Sequence, residues 1–206
     1  MPIRAVVFDI GGVLEQIDDP RVAPLSTKWR RLLGMSEADF KSALVTVDPD
    51  DRATTGQLSE PEFTQRYATA LGLTPAQTAE FMADMWDWYC GELDTEMMAF
   101  AASLRPRLRT AILSNSADGA RREEESRYQF GELFDPVIYS HEVGLAKPDP
   151  DVFRLTCARV GVPPDELIFI DDSLVIVEAA GKLGIHAIHH TSTPATIATV
   201  SVLLPG

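Results

Sequence analysis

Apolar residues recur in two rhythms along this chain. Short, nearly continuous apolar runs, rich in β-branched residues, occur at Ile3–Phe8, Arg109–Leu113, Pro136–Tyr139, Leu167–Ile170 and Ile185–Ile188. Runs of this length and kind predict strands covered on both faces. Helical patterns fill the later gaps. Asp149 and Pro150 supply an N-cap and an N1 proline for a helix over Asp151–Val160, which Gly161 ends. A second helix is expected over Leu174–Leu183, stopping at Gly184. Strands alternating with helices predict βαβ units: an α/β fold with a Rossmann-like parallel sheet and helices on both faces.

The first gap breaks the rhythm, being several times longer than one crossover helix needs. It shows no strand pattern but several helix starts. Leu25, Trp29, Leu32 and Leu33 share one helical face. Ser59-Glu60-Pro61-Glu62 is a capping box leading into Phe63, Tyr67 and Leu71. Thr74-Pro75-Ala76-Gln77 is another, leading into Phe81, Met85 and Trp88. The predicted organisation is a core domain over residues 1–14 and 95–206, with a helical cap domain of residues 15–94 inserted after the first strand. The Thr-, Ser- and Pro-rich tail after Thr191 gives no pattern.

Composition narrows the class. With 206 residues, 45% of them hydrophobic, the chain can bury a sizeable core. No stretch approaches the roughly 18 apolar residues that span a bilayer, and no secretory leader precedes the first strand. Cys90 and Cys157 are too few for a disulfide framework or zinc cluster, so two reduced, semi-buried thiols in a cytoplasmic protein are expected. The net charge of −13 disfavours nucleic acid and anionic lipid as partners. It also repels phosphate esters, so any phosphate site must be locally positive.

Ligands of open parallel sheets bind beyond the carboxyl ends of the strands, where strand order reverses. There the first strand delivers Asp9 followed by Gly11 and Gly12, and the second delivers Ser114 and Asn115. Lys147 follows the third strand, and the fourth ends in Asp171 and Asp172. Three carboxylates and one ammonium converging on a crevice are costly to hold without a cation and an anion between them. Magnesium and a phosphate fit, since magnesium favours carboxylate and phosphate oxygens.

In chain order, FDIGGVL, ILSNS, GLAKPDP and FIDDS resemble the four motifs of the haloacid dehalogenase superfamily, and the helical insertion resembles the cap of its C1-capped members. The resemblance covers nearly the whole chain and implies a magnesium-dependent phosphohydrolase. Asp9 would be the nucleophile that forms an aspartyl-phosphate. Ser114 would hydrogen-bond the phosphoryl oxygens with Asn115 nearby, and Lys147 would bridge Asp9 and the phosphate. Magnesium would be held by Asp9, the Gly11 carbonyl and Asp172, with Asp171 as a second ligand or behind it. Gly11 and Gly12 would let the backbone turn and approach the phosphate. The partner would be a small phosphorylated metabolite, the enzyme a monomer or homodimer, and the cap a lid moving on joints at Leu14–Asp19 and Leu93–Thr95.

Three positions depart from the family pattern. Gly11 stands where a general acid/base aspartate is usual, Val13 where threonine is common, and Ile176 where aspartate or asparagine supports the metal. Glu15, Asp18 and Asp19 are close enough in sequence to substitute as proton donors if the chain folds back. Two other readings stay open: a catalytically weak binding or regulatory protein, and a 2-haloacid dehalogenase, which shares the nucleophile but needs neither metal nor acidic pair. His141, His186, His189 and His190 match no motif and read as strand-edge or surface residues. Thr27–Arg31 reads as a solvated face around one core tryptophan. Trp86, Trp88 and Tyr89 read as cap core or cap–core interface.

Overall fold

A computed structural model describes residues 2–16 and 22–204. The first strand, β1 (Ala5–Phe8), is followed by a two-residue strand, β2 (Glu15–Gln16). Four helices come next: α1 (Val22–Leu33), α2 (Glu37–Val45), α3 (Glu60–Leu71) and α4 (Pro75–Tyr89). Strand β3 (Glu92–Leu93) then pairs antiparallel with β2 and closes this helical insertion. The rest runs α5 (Thr95–Leu104), β4 (Arg109–Ser114), α6 (Ala120–Tyr128), α7 (Phe130–Leu133), β5 (Val137–Tyr139) and α8 (Ser140–Val143). It ends with α9 (Pro150–Val160), β6 (Leu167–Asp171), α10 (Leu174–Gly181), β7 (His186–His189) and α11 (Thr193–Leu203).

Five strands form one parallel sheet in the order β5-β4-β1-β6-β7. These are the five apolar runs, differing from expectation only at their ends. Side chains alternate across the sheet. Val6 and Phe8 of β1 pack into one apolar layer, and Ala5 and Val7 into the other. The order reverses at β1, so the crevice opens between the carboxyl ends of β4, β1 and β6.

Within the insertion both capping boxes form. Glu62 accepts from the Ser59 N–H at 3.1 Å and Gln77 from the Thr74 N–H at 2.9 Å. Trp29 is fully buried against Phe81, with ring centroids 5.2 Å apart. Lys28 pairs with Asp84 and Glu80, and Arg30 with Glu37, so the basic stretch is a solvated face tied down locally. The insertion is also fastened to the core. Arg122 of α6 grips Glu60 through two bonds of 2.7 and 2.8 Å, and Arg127 bonds Asp87 at 2.7 Å.

Three expectations need correction, and one segment without a reading gains a structure. The insertion carries the β2–β3 pair, which at two residues per strand is too short to show a period. Leu32 is 53% exposed, because the buried face of α1 centres on Trp29 and Leu32 lies on its flank. Trp88 is 41% exposed near the end of α4, whereas Trp86 is buried on the opposite side. The tail after Thr191 folds into α11, which buries Thr196 and Val200 and ties Thr193 to Asp94 at 2.5 Å. Its small β-branched residues gave no amphipathic signal. Both cysteines are free and buried.

Candidate active site

The crevice centres on Lys147, whose Nζ lies 2.7 Å from Asp9 Oδ1 and 2.7 Å from Asp171 Oδ2. Asp9 directly follows β1, and the N–H of Ile10 donates to its Oδ1 at 2.8 Å. Asp171 ends β6, is fully buried, and accepts from the N–H of Ser173 at 2.9 Å. Asn115 works one step back. Its Nδ2 donates to the Lys147 carbonyl at 2.8 Å, and the Lys147 N–H donates to its Oδ1 at 2.9 Å. This reciprocal pair fixes the lysine backbone. Ser114 is buried at the end of β4, and Asp172 is half-buried beside Asp171.

Of the two glycines, only Gly12 adopts a left-handed conformation (φ 72°). Gly11 is exposed, and a Cβ there would meet nothing within 4 Å. The residues after Asp9 double back. The N–H groups of Leu14 and Glu15 donate to the Ile10 carbonyl, and that of Gly12 donates to the Glu15 carbonyl. Glu15 thereby returns to the strand end, the fold-back that the sequence left conditional. Asp18 and Asp19 lie outside the described residues, as does part of the first expected joint.

Burial pushes the Asp9 carboxyl up to about 7, opposed by the charge of Lys147 and reinforced by Asp171. Asp172 is raised too, by burial and then by the charge of Asp171. Oxygens of Asp9, Asp171 and Asp172 all lie within 4.8 Å of one another. Three hard oxygen donors that disfavour each other's ionised form suit a divalent cation such as magnesium.

Asp9 lines a cavity of about 150 Å³ together with Ser114, Asn115, Lys147, Glu15, Tyr89, Glu124 and Ile176. Burial, then the charges of Glu124 and Asp9, push Glu15 up to about 10. Burial pushes Glu124 up to about 7, opposed by a hydrogen bond from the Tyr139 hydroxyl. Sequence reasoning missed Glu124 and Tyr139. Glu124 is hidden in the polar run of α6, where nothing marks one glutamate as buried. The histidines stay out of the cavity lining. His141 bonds Ser116, His186 and His189 meet carbonyls of Asp165 and Asp172, and His190 bonds Thr196.

Among known proteins, a D-ribitol-5-phosphate phosphatase of Bacteroides thetaiotaomicron is 25% identical over 192 residues, 88% of this chain and 89% of that protein. Acyl-CoA dehydrogenase family member 10 of mouse is 27% identical over 90% of this chain, but the chain spans only 18% of it. A HAD family enzyme of B. thetaiotaomicron, solved with magnesium and inorganic phosphate, superposes with a TM-score of 0.74 at 22% identity, covering 91% of this chain and 93% of that one. At that identity the likeness speaks for the fold. The model of the haloacid dehalogenase-like hydrolases matches residues 3–184, and the chain belongs to that family of hydrolases.

Proposed function

We propose that this hydrolase is a magnesium-dependent phosphohydrolase that cleaves a small phosphate ester through an aspartyl-phosphate on Asp9. The observation that carries this reading is the Asp9–Lys147–Asp171 bridge at the ends of β1 and β6, with Asp172 adjacent. Asp9 attacks phosphorus, an Asp9 O–P bond forms, and the ester O–P bond breaks. Water then hydrolyses the acyl phosphate, releasing inorganic phosphate and restoring the carboxylate. Lys147 holds Asp9 in place and offsets the negative charge of the transferring group. The Ser114 hydroxyl donates to a phosphoryl oxygen, while Asn115 keeps the lysine backbone fixed. Asp9, Asp172 and the Gly11 carbonyl would hold the metal, with Asp171 retained by Lys147. Bound there, magnesium supplies positive charge to the phosphoryl oxygens. The helical insertion acts as a cap that excludes water.

The phosphatase relative supports this reading, as does Asp172, which a metal-independent dehalogenase does not need. Gly11 and Ile176 favour the rival reading of a weakly catalytic binding protein. The decisive assay is p-nitrophenyl phosphate turnover, with magnesium and with EDTA, for wild type and Asp9→Asn. Turnover that needs magnesium and is abolished in the nearly isosteric variant is expected. Activity surviving chelation, with halide released from 2-haloacids, would make it a dehalogenase. Phosphate binding without turnover of any ester would make it a binding protein.

A further inference from the structure

The insertion touches the core at His141, and from there a chain of contacts runs to the loop that carries Ser114 and Asn115. Between α2 and α3 the insertion makes a short 3-10 turn (Ala53–Thr55), which ends at Gly56 in a left-handed conformation (φ 70°). Asp48 braces this turn, accepting from the N–H groups of Arg52 at 3.0 Å and Ala53 at 2.7 Å. Gly56 sits directly on α8. A Cβ there would collide with the His141 carbonyl oxygen and lie 3.1 Å from its carbon. Only glycine permits this approach, by its φ and by the space it leaves. On the core side, Ser140 and His141 hold Ser116, the residue after Asn115. The Ser116 N–H donates to Ser140 Oγ at 2.9 Å, and the Ser140 hydroxyl donates to the Ser116 carbonyl at 3.3 Å. Ser116 Oγ lies 2.9 Å from His141 Nδ1. Burial pushes the His141 ring towards its neutral form, opposed by the charges of Glu142 and Asp118, so Nδ1 accepts and the Ser116 hydroxyl donates. His141 therefore meets the insertion with its main chain and the loop with its ring.

We propose that His141 is a positioning residue, which couples the seating of the insertion at Gly56 to the placement of Ser114 and Asn115. The proposal rests on the phosphohydrolase reading of the site and adds a conformational control to it. With Gly56 seated, the His141 main chain is fixed, and its ring fixes Ser116. Asn115, one residue earlier, then meets the Lys147 main chain at 2.8 and 2.9 Å, and Ser114 is aligned with the phosphoryl group. With Gly56 off its seat, α8 loses the support of the insertion and shifts together with Ser116. The phosphoryl group is then left without an aligned donor. A misplacement of about 1 Å costs on the order of 10²-fold in rate, so a small displacement at the seat suffices. Ser140 and His141 thus let the phosphate-binding loop respond to a contact made in the insertion.

The test measures kcat and KM for p-nitrophenyl phosphate, with magnesium, in wild type, Gly56→Ala, Ser116→Ala, their double variant, His141→Leu and His141→Asn. Gly56→Ala should lower kcat by about tenfold. KM should stay within about threefold, because what is lost is alignment in the transition state. Ser116→Ala, which removes one hydrogen bond, should lower kcat by about fivefold. Both substitutions break one path, so the double variant should fall by no more than about tenfold, against the roughly fiftyfold product expected of independent sites. His141→Leu should reproduce the Ser116→Ala loss, and His141→Asn, whose Oδ1 takes the place of Nδ1, should stay within about twofold of wild type. Melting temperatures accompany the assay. A merely structural role gives losses that track the melting temperature and multiply in the double variant. If Gly56→Ala does not fold, Asp48→Ala, which removes the brace of the turn, takes its place in the cycle. Losses that multiply, a kcat unmoved at the seat, or no rescue by asparagine overturns this inference alone. A wild type that hydrolyses no ester overturns the phosphohydrolase reading and this inference with it.

Discussion

The floor and the wall of the one cavity are built on opposite principles. On the floor the buried charges of Asp9, Asp171 and Lys147 answer one another. Lys147 holds Asp9 and Asp171 at 2.7 Å each, Ser173 caps Asp171, and Asn115 locks the lysine backbone. On the wall Glu15 and Glu124 are carboxyls whose ionised forms burial opposes, and Glu15 Oε1 has no hydrogen-bond partner among the described residues. Both regions are buried, so solvent does not account for the difference. A paired network holds a rigid geometry by itself, as phosphoryl transfer demands of its nucleophile. Buried carboxyls without a charged partner instead hold their protons, at a cost to stability as pH rises.

The largest effect should come from filling the gap between the two. Gly11 stands where a second aspartate would protonate the leaving group, and general acid help is worth typically ~10²–10⁴-fold. Wild type should therefore hydrolyse aryl phosphates, with their weakly basic leaving groups, far better than alkyl phosphates. Gly11→Asp should raise alkyl phosphate turnover by about 10²-fold and flatten the dependence on leaving-group pKa. The site admits the side chain, because Gly11 has no positive φ and its Cβ direction is open. A flat dependence already present in wild type, and unchanged by the aspartate, would show that another residue supplies the proton. Glu15 is then the first to examine, since it lines the cavity.

A smaller effect separates the two aspartates of the floor. Asp172 is half-buried and free of Lys147, whereas Asp171 is fully buried and held by it. Asp172→Asn should weaken magnesium binding by more than ~10-fold while leaving the melting temperature close to wild type. Asp171→Asn should do the reverse, since breaking a buried ion pair costs about 3–5 kcal/mol. Isothermal titration with magnesium, beside thermal melts, checks both. Equal losses of metal affinity would mean that both carboxylates bind the ion directly.

The contrast between floor and wall also governs what the sequence could show. The floor was legible because its residues sit at the ends of apolar strands, and strand ends in a parallel sheet converge for topological reasons. Asp9, Ser114, Asp171 and Asp172 needed only that rule, and Lys147 needed its extension to the segment after the third strand. The part Asn115 plays, holding the Lys147 main chain, was not readable, because it depends on a loop conformation. The wall was nearly invisible. Glu15 was noticed for its charge and nearness to Asp9, and its burial depended on a loop turning back through the Ile10 carbonyl. Glu124 sits in the run Ala120–Tyr128 beside Glu123 and Glu125, and only the packing of α6 distinguishes it. In the fold, the five strands and both capping boxes were legible because each follows a local pattern. The β2–β3 pair and α11 were not, since one is shorter than a period and the other has no amphipathic face.

The smallest effect isolates the wall from the floor through pH. Glu15 is raised from an ordinary value of 4.5 to about 10, chiefly by burial. Below the ordinary value, folded and unfolded chains both hold the proton and the group adds no pH dependence. Between 4.5 and about 10 the folded protein keeps a proton that the unfolded chain has released. Stability therefore falls as pH rises across that window, by up to about 1.4 kcal/mol per pH unit, and levels off above it. Asp9 and Glu124 follow the same sign but stop near 7, so above neutrality their slopes are already exhausted. Melts of the metal-free protein from pH 7.5 to 9, roughly the interval where Glu15 still titrates and the other two do not, should show a decline in wild type. In Glu15→Gln that decline should be shallower, with the variant the more stable of the two at the alkaline end. Parallel curves would show that the Glu15 carboxyl ionises in the fold at ordinary pH. The wall would then carry a charge as the floor does.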